Sequence, residues 1–330
     1  MAIRYISADD VTALRETEHA DFAAHIASVA DAYREVGEGT ARILSRQSLV
    51  ENTDPKVLRP RSFKIMGAAL LQAGFMGVVT YPAGYGRPLD FRVVLSSAEN
   101  GTALAIVEGE LVTQWATACV TAVATRALSR EDSRVLGMVG TGTFAFDQPL
   151  AIAKVRPIEE VRCYSRDVKK RTEFASRLAA CLDGVRVVPA DSPAAAAAGA
   201  DILTTVTTAS EPVIASSDIA DGVHVNAIGM HYPKTREIDS DTMRRAKFFV
   251  DDREQTFDEK GEFLIPLNEG VIDDGHILAD LGQLAAGRCD WRRDQSDLTL
   301  FGSGGTAIEY LGVAACLYKA AVATGIGRQL

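Results

Sequence analysis

Between residues 133 and 228 short apolar runs alternate with helix-forming segments, and the first junction carries a glycine-rich turn. The run 134–139 (RVLGMV) reads as a buried strand, and Gly140-Thr141-Gly142-Thr143-Phe144-Ala145 follows it directly, opening a helix over 145–154. Strands at 161–164, 185–188, 202–206 and 224–228, with helices at 169–182 and 192–198 between them, continue the order. Such alternation predicts a parallel sheet covered on both faces. The turn fits G-x-G-x-x-A. Its first glycine permits a tight bend, its second lets a pyrophosphate reach the backbone, and its small third residue lets helix and strand close up. The helix N-terminus adds free N–H groups and a positive dipole end. We therefore expect an α/β Rossmann dinucleotide-binding domain, with Gly140, Thr141, Gly142, Thr143, Phe144 and Ala145 at the cofactor.

The end of the second strand speaks to the choice of nicotinamide. An acidic residue there hydrogen-bonds the ribose of NAD, whereas an arginine nearby suits a 2′-phosphate. The chain reads Cys163-Tyr164-Ser165-Arg166-Asp167, followed by Lys169, Lys170 and Arg171. Ser165 takes the acidic position and Arg166 offers a fork for phosphate, so NADP(H) is expected over NAD(H). The competing reading puts Asp167 on the ribose and leaves the basic residues as a solvated helix start.

Upstream, Ser7 is a candidate N-cap, and Phe22, Ile26, Val29, Ala30 and Tyr33 recur at helical spacing, ended by Gly37 and Gly39. Residues 41–60, with Pro55 and Pro60, read as a loop. Apolar runs at 74–81, 91–95 and 103–107 read as strands, with Glu99-Asn100-Gly101 as a hairpin turn between the last two. Ala-rich helices are expected over 113–128 and 306–323. At 330 residues the chain has room for about two domains. A formal charge of −9 argues against a nucleic-acid partner. Five scattered cysteines without a C-x-x-C pair, and no histidine pair at ligand spacing, predict neither a disulfide framework nor a metal site. With no signal peptide and no run of 18 uncharged apolar residues, a cytoplasmic protein without membrane contact is expected.

Several segments together resemble the ornithine cyclodeaminase/μ-crystallin family. They are Glu108-Gly109-x-x-Val112-Thr113 leading into the Ala-rich helix, Val139-Gly140-Thr141-Gly142, Ala200-Asp201-Ile202-Leu203-Thr204-Thr205-Val206-Thr207 and Gly222-Val223-His224-Val225-Asn226-Ala227-Ile228-Gly229. Further on come Arg236-Glu237-Ile238-Asp239, Val250-Asp251-Asp252, Asp280-Leu281-Gly282 and Leu298-Thr299-Leu300-Phe301-Gly302-Ser303-Gly304-Gly305. The resemblance implies a homodimer of two-domain subunits with the active site between the domains. Residues 1–117 and 303–330 would form an α+β dimerisation and substrate domain, and 118–302 the Rossmann domain. It implies hydride transfer between a nicotinamide and a carbon bearing nitrogen. It also places Thr205, Val206, Thr207, Ile228, Gly229 and Ser303 at the cofactor, beside Ser165 and Arg166 read from the strand end above.

Two positions depart from the family pattern. Ala116 stands where members carry an arginine that grips the substrate α-carboxylate, and no alanine replaces that fork. His231 stands where cyclodeaminases carry an aspartate after Asn226-Ala227-Ile228-Gly229-Met230. A histidine there can serve as general acid or base for an imine nitrogen, or can fill the space and hold an anion. Lys64 matches the family's substrate-facing lysine, and Arg46 lies near a matching arginine; the alternatives are a snorkelling strand lysine and a solvated loop residue. Arg87 and Arg92 are further candidates for a displaced carboxylate grip. His224 is expected to pack against the sheet, and His19, His25 and His276 show no partner pattern. The expected function is an imine (ketimine) reductase or amino-acid dehydrogenase acting on a small molecule, with Lys64 and His231 as catalytic residues and Arg46 and Lys64 holding substrate. The alternatives are an NAD-dependent ornithine cyclodeaminase, which converts ornithine to proline and ammonia, and a non-catalytic NADP(H)-binding protein.

Overall fold

The computed structural model describes residues 3–17, 21–50, 60–229, 231–289, 291 and 294–330. His19, Pro55 and Met230, named above, lie outside them. The chain forms two compact units, Met1–Val120 with Gly282–Arg288 and Gly305–Leu330, and Thr121–Leu281 with Cys289–Gly304.

In the first unit the elements are β1 (Arg4–Ile6), α1 (Ala8–Arg15), α2 (Phe22–Glu38), β2 (Ala41–Val50), β3 (Ser62–Leu70), β4 (Phe75–Ala83), β5 (Arg92–Ser97) and β6 (Ala103–Glu108). Ser7 caps α1 in a capping box with Asp10. Gly39, at φ 75°, ends α2 in the left-handed conformation. Gly37, expected to help end this helix, lies inside it. A Cβ there would sit 2.0 Å from the Gly282 carbonyl, so two backbones meet at this point. That approach explains why Gly282–Arg288, assigned to the dinucleotide domain by sequence, packs with the first unit.

The expected loop at 41–60 is in its described part the strand β2, antiparallel to β3 with a register shift between Leu44 and Gln47. Strands β3 to β6 form an antiparallel meander, and the turn before β4 is held by buried Glu35, which accepts from Gln72 N (2.9 Å) and Ala73 N (2.8 Å). The helix α3 (Glu110–Leu128) follows.

The second unit continues with β7 (Val135–Val139), α4 (Asp147–Ile152), β8 (Glu160–Tyr164), α5 (Val168–Ala179), β9 (Arg186–Pro189), α6 (Pro193–Ala197), β10 (Ile202–Thr205) and β11 (His224–Ala227). Then come α7 (Ser240–Arg245), β12 (Lys247–Val250), α8 (Arg253–Glu259), α9 (Gly261–Asn268), β13 (Ile277–Asp280), α10 (Leu281–Ala285) and β14 (Thr299–Gly302). Eight strands run in the order β13-β12-β14-β11-β10-β7-β8-β9, every neighbouring pair parallel. All strand C-termini therefore share one edge. The order turns back on itself between β7 and β10, the switch point where doubly wound sheets bind ligands.

The chain closes with α11 (Ala307–Thr324) and β15 (Arg328–Gln329) in the first unit. There α11 packs on α2 and across β3, β4 and β5, and seven strands run in the order β15-β1-β6-β5-β4-β3-β2. By length and composition α11 could cross a membrane, but its apolar residues are the core of this unit.

Candidate active site

The glycine turn leaves β7 as its sequence requires. Gly140 has φ 118°, and a Cβ on it would lie 2.4 Å from the Val206 carbonyl, so only glycine fits. Its N–H donates to Tyr164 O (2.8 Å), which joins the ends of β7 and β8. A Cβ on Gly142 would meet nothing within 4 Å. That open backbone is the approach a pyrophosphate needs. Thr141 and Ser165 hydroxyls lie 2.9 Å apart; Thr143 is exposed and Ala145 is buried. The helix opens at Asp147, two residues after the motif ends, through a turn that includes Ala145 N donating to Gly142 O (3.0 Å). These residues fit a dinucleotide.

Sequence reasoning missed the buried charges behind the neighbouring strand ends. Glu237, fully buried, accepts from Thr205 Oγ1 (2.9 Å), Gly229 N (2.8 Å) and Thr207 N (2.6 Å). A Cβ on Gly229 would lie 2.3 Å from its carboxyl carbon. Burial, reinforced by Glu262, pushes the Glu237 carboxyl up to about 7, against the hydrogen bonds from Thr207 and Thr205. Glu262 in turn accepts from Glu237 N (3.0 Å) and pairs with buried Lys260 at 3.5 Å. Lys260 Nζ donates to Ser303 O (2.6 Å) and Ala227 O (3.3 Å), and Asp251 accepts from Ser303 Oγ (2.9 Å) and Gly304 N (2.7 Å). The segments containing Glu237 and Asp251 carried the family resemblance, but no spacing rule marks either as a partner of strands 30 or 50 residues away.

Thr205, Val206, Thr207, Ile228, Gly229 and Ser303 thus gather on the C-terminal edge of the second unit's sheet. His231 follows β11 by four residues, half-buried, its ring stacked on Tyr232 with centroids 5.5 Å apart. His224 is a buried bridge in the sheet, bonded to Thr299 Oγ1 and Asn226 Oδ1, each at 3.0 Å.

In the first unit, Lys64 lies on the buried face of β3 and donates to Ser48 Oγ (2.7 Å). Arg46, in the β2 bulge, donates to Gly305 O (2.5 Å). A bulge re-aims a strand side chain, and here it turns Arg46 towards Tyr310, whose hydroxyl burial keeps protonated. The other two arginines are engaged: Arg87 with Glu110, and Arg92 with Asp90 (2.8 Å) and Glu108 (3.1 Å). Ala116 is fully buried.

The family model described as "Ornithine cyclodeaminase/mu-crystallin family" matches residues 12–325. The chain belongs to the ornithine cyclodeaminase/mu-crystallin family. A Delta(1)-pyrroline-2-carboxylate reductase of Bacillus cereus is 35% identical over 239 residues, covering 72% of this chain and 73% of that protein. Among solved structures, the Thermococcus litoralis Delta(1)-pyrroline-2-carboxylate reductase in complex with NADH and L-proline is 31% identical, with TM-score 0.91 over 99% of this chain and 100% of that one. An archaeal alanine dehydrogenase dimer with bound NAD is 27% identical, with TM-score 0.89 over 100% and 99%. At the family level this chain is a nicotinamide-dependent oxidoreductase acting on carbon–nitrogen bonds.

The cofactor expectation needs correction. The similar structures hold NADH and NAD, which overturns the preference for NADP(H) read from Ser165 and Arg166. The surroundings of β8 give a physical reason. Arg166 is exposed, Asp167 caps α5 by accepting from Lys170 N (3.0 Å), and Arg171 is bound to Asp191 (2.7 Å). Asp167 is thus held by the start of α5, and Arg171 by Asp191.

Proposed function

We propose that this chain is an NAD(H)-dependent reductase of a cyclic imine bearing a carboxylate, of the Δ1-pyrroline-2-carboxylate type. The observation that carries this reading is the likeness, along 99% of the chain, to the Thermococcus reductase that holds NADH and L-proline. In this reaction the C=N carbon gains a hydride and the nitrogen gains a proton, giving a cyclic amino acid. The glycine turn at Gly140 to Ala145 would hold NADH, which would supply the hydride and become NAD+. Lys64 and Arg46 hold the substrate carboxylate by charge-assisted hydrogen bonds, in place of the arginine that Ala116 lacks. His231 delivers the proton to the nitrogen through its ring N–H and recovers it from water.

We further propose a homodimer. Leu44 (53% exposed) and Val78 (42%) flank Gly67 on one face of the β2–β3–β4 sheet, and Leu49 (68%) pairs with Phe63 (38%) on the same face. Contiguous exposed apolar surface of this kind marks an interaction site, and a second copy of the chain fits the alanine dehydrogenase dimer.

The deciding assay supplies the purified protein with NADH and Δ1-pyrroline-2-carboxylate, then separately with L-ornithine. NADH consumption on the imine, with proline formed in equal amount, is the expected result. Ammonia and proline from ornithine without net NADH change would overturn it in favour of a cyclodeaminase. NADH binding without turnover on either substrate would overturn it in favour of a binding protein.

A further inference from the structure

In the second unit, three charged side chains lie buried behind the strand ends that face the switch point. Glu237, Lys260 and Asp251 are each no more than 4% exposed. All three bind the loops leaving the strands and none reaches a surface partner in the contacts above. Glu237 joins the ends of β10 and β11 through Thr205, Thr207 and Gly229. Lys260 joins β11 to β14 through Ala227 O and Ser303 O. Asp251, at the end of β12, holds Ser303 and Gly304. The links run across four adjacent strands, and Glu262 bridges the first two by accepting from Glu237 N while pairing with Lys260.

Burying charge is expensive unless every group is paired, so a fold has no reason to lace strand ends this way for stability alone. Among the atoms being held are backbone groups and hydroxyls of Thr205, Thr207, Gly229 and Ser303, residues expected above at the cofactor. The glycine turn after β7 takes the pyrophosphate, so the β10, β11 and β14 ends remain for the other half of the dinucleotide. We propose that Glu237 is a positioning residue for the nicotinamide end of NAD(H), setting the separation of the Thr205–Thr207 and Gly229 backbones between which the ring is seated. This rests on the NAD(H) reading above. In its ionised form the carboxyl accepts from all three groups bonded to it, Thr205 Oγ1, Thr207 N and Gly229 N, and Gly229 has no side chain because the carboxyl group fills its place. Glu237→Gln keeps the size but, in either orientation of the amide, turns its NH2 group towards the backbone N–H of Thr207 or of Gly229, and a donor facing a donor pushes the two loops apart.

The test compares binding of NADH with that of ADP-ribose, which lacks the nicotinamide, by fluorescence and calorimetry on wild type, E237Q and T205V. A tenfold loss of affinity corresponds to about 1.4 kcal/mol. The expected result is NADH affinity weakened by at least about tenfold in E237Q, and less in T205V, with ADP-ribose affinity within about twofold of wild type. T205V removes a single donor at constant shape, so it reads the same effect should E237Q fail to fold. Equal weakening of both ligands would reduce Glu237 to a structural role and overturn the proposal. Unchanged NADH binding in a folded variant would overturn it too. Wild-type protein that binds ADP-ribose but not NADH would instead sink the NAD(H) reading on which the proposal rests.

Discussion

The proton-donor role proposed for His231 is separable from binding. Removal of a general acid costs about 10²–10⁴ in rate, so H231Q should lower kcat on the imine by at least about 100-fold while the NADH dissociation constant stays put. Stopped-flow absorbance with matched titrations checks both; a loss in binding alone would make the histidine a space-filler. Glu237 makes a second prediction at this scale. Its carboxyl titrates at about 7 in the folded chain, against an ordinary value of 4.5, because of its burial and the nearby Glu262 that pairs with Lys260. The folded state therefore holds an extra proton between those values, and stability falls as pH rises through that window. The rise from 4.5 to about 7 corresponds to about 3–4 kcal/mol at 1.4 kcal/mol per pH unit. Urea midpoints at pH 5 and pH 8 should show wild type losing stability that E237Q does not lose.

Among the elements, the β7–α4 turn is the most sensitive to a single methyl group. G140A would force a Cβ into the Val206 carbonyl at 2.4 Å and hold alanine at φ 118°. Strain of this kind costs about 1–3 kcal/mol, so the variant should melt lower and lose dinucleotide affinity together, as calorimetry would show. This turn was legible in sequence because its backbone demands glycine at a strand end. Five of the eight strands around it, β7 to β11, were legible as short apolar runs alternating with helices, whereas β12, β13 and β14 were not read. Strand β2 was not, since nearly all of it is exposed or half-exposed and its bulge interrupts the period-2 pattern. The Glu237–Glu262–Lys260 links were equally hidden. Their partners are mostly backbone atoms 30 to 40 residues away, which no local pattern encodes. Arg166 misled for a related reason: an exposed arginine beside a strand end need not meet a ligand, and nothing in the local sequence tells the two cases apart.

At the scale of the whole molecule, the exposed apolar face of β2 to β4 predicts association. L49K should convert a dimer to a monomer in sedimentation velocity, with NADH still bound by each chain; an unchanged sedimentation coefficient would place the interface elsewhere. The chain's two departures from its first unit have a different consequence, for biosynthesis. The sheet from β3 to β6 is complete by Glu108, but α11, which covers its core face, begins only at Ala307. On the ribosome, roughly 200 residues must be added before that helix exists, about 10–40 s at ordinary translation rates. Throughout that interval the nascent chain presents an uncovered apolar sheet. A stop codon between the glycine turn and residue 307 would leave it uncovered for good, so truncated products should be found with chaperones or in inclusion bodies, even though their glycine turn is intact.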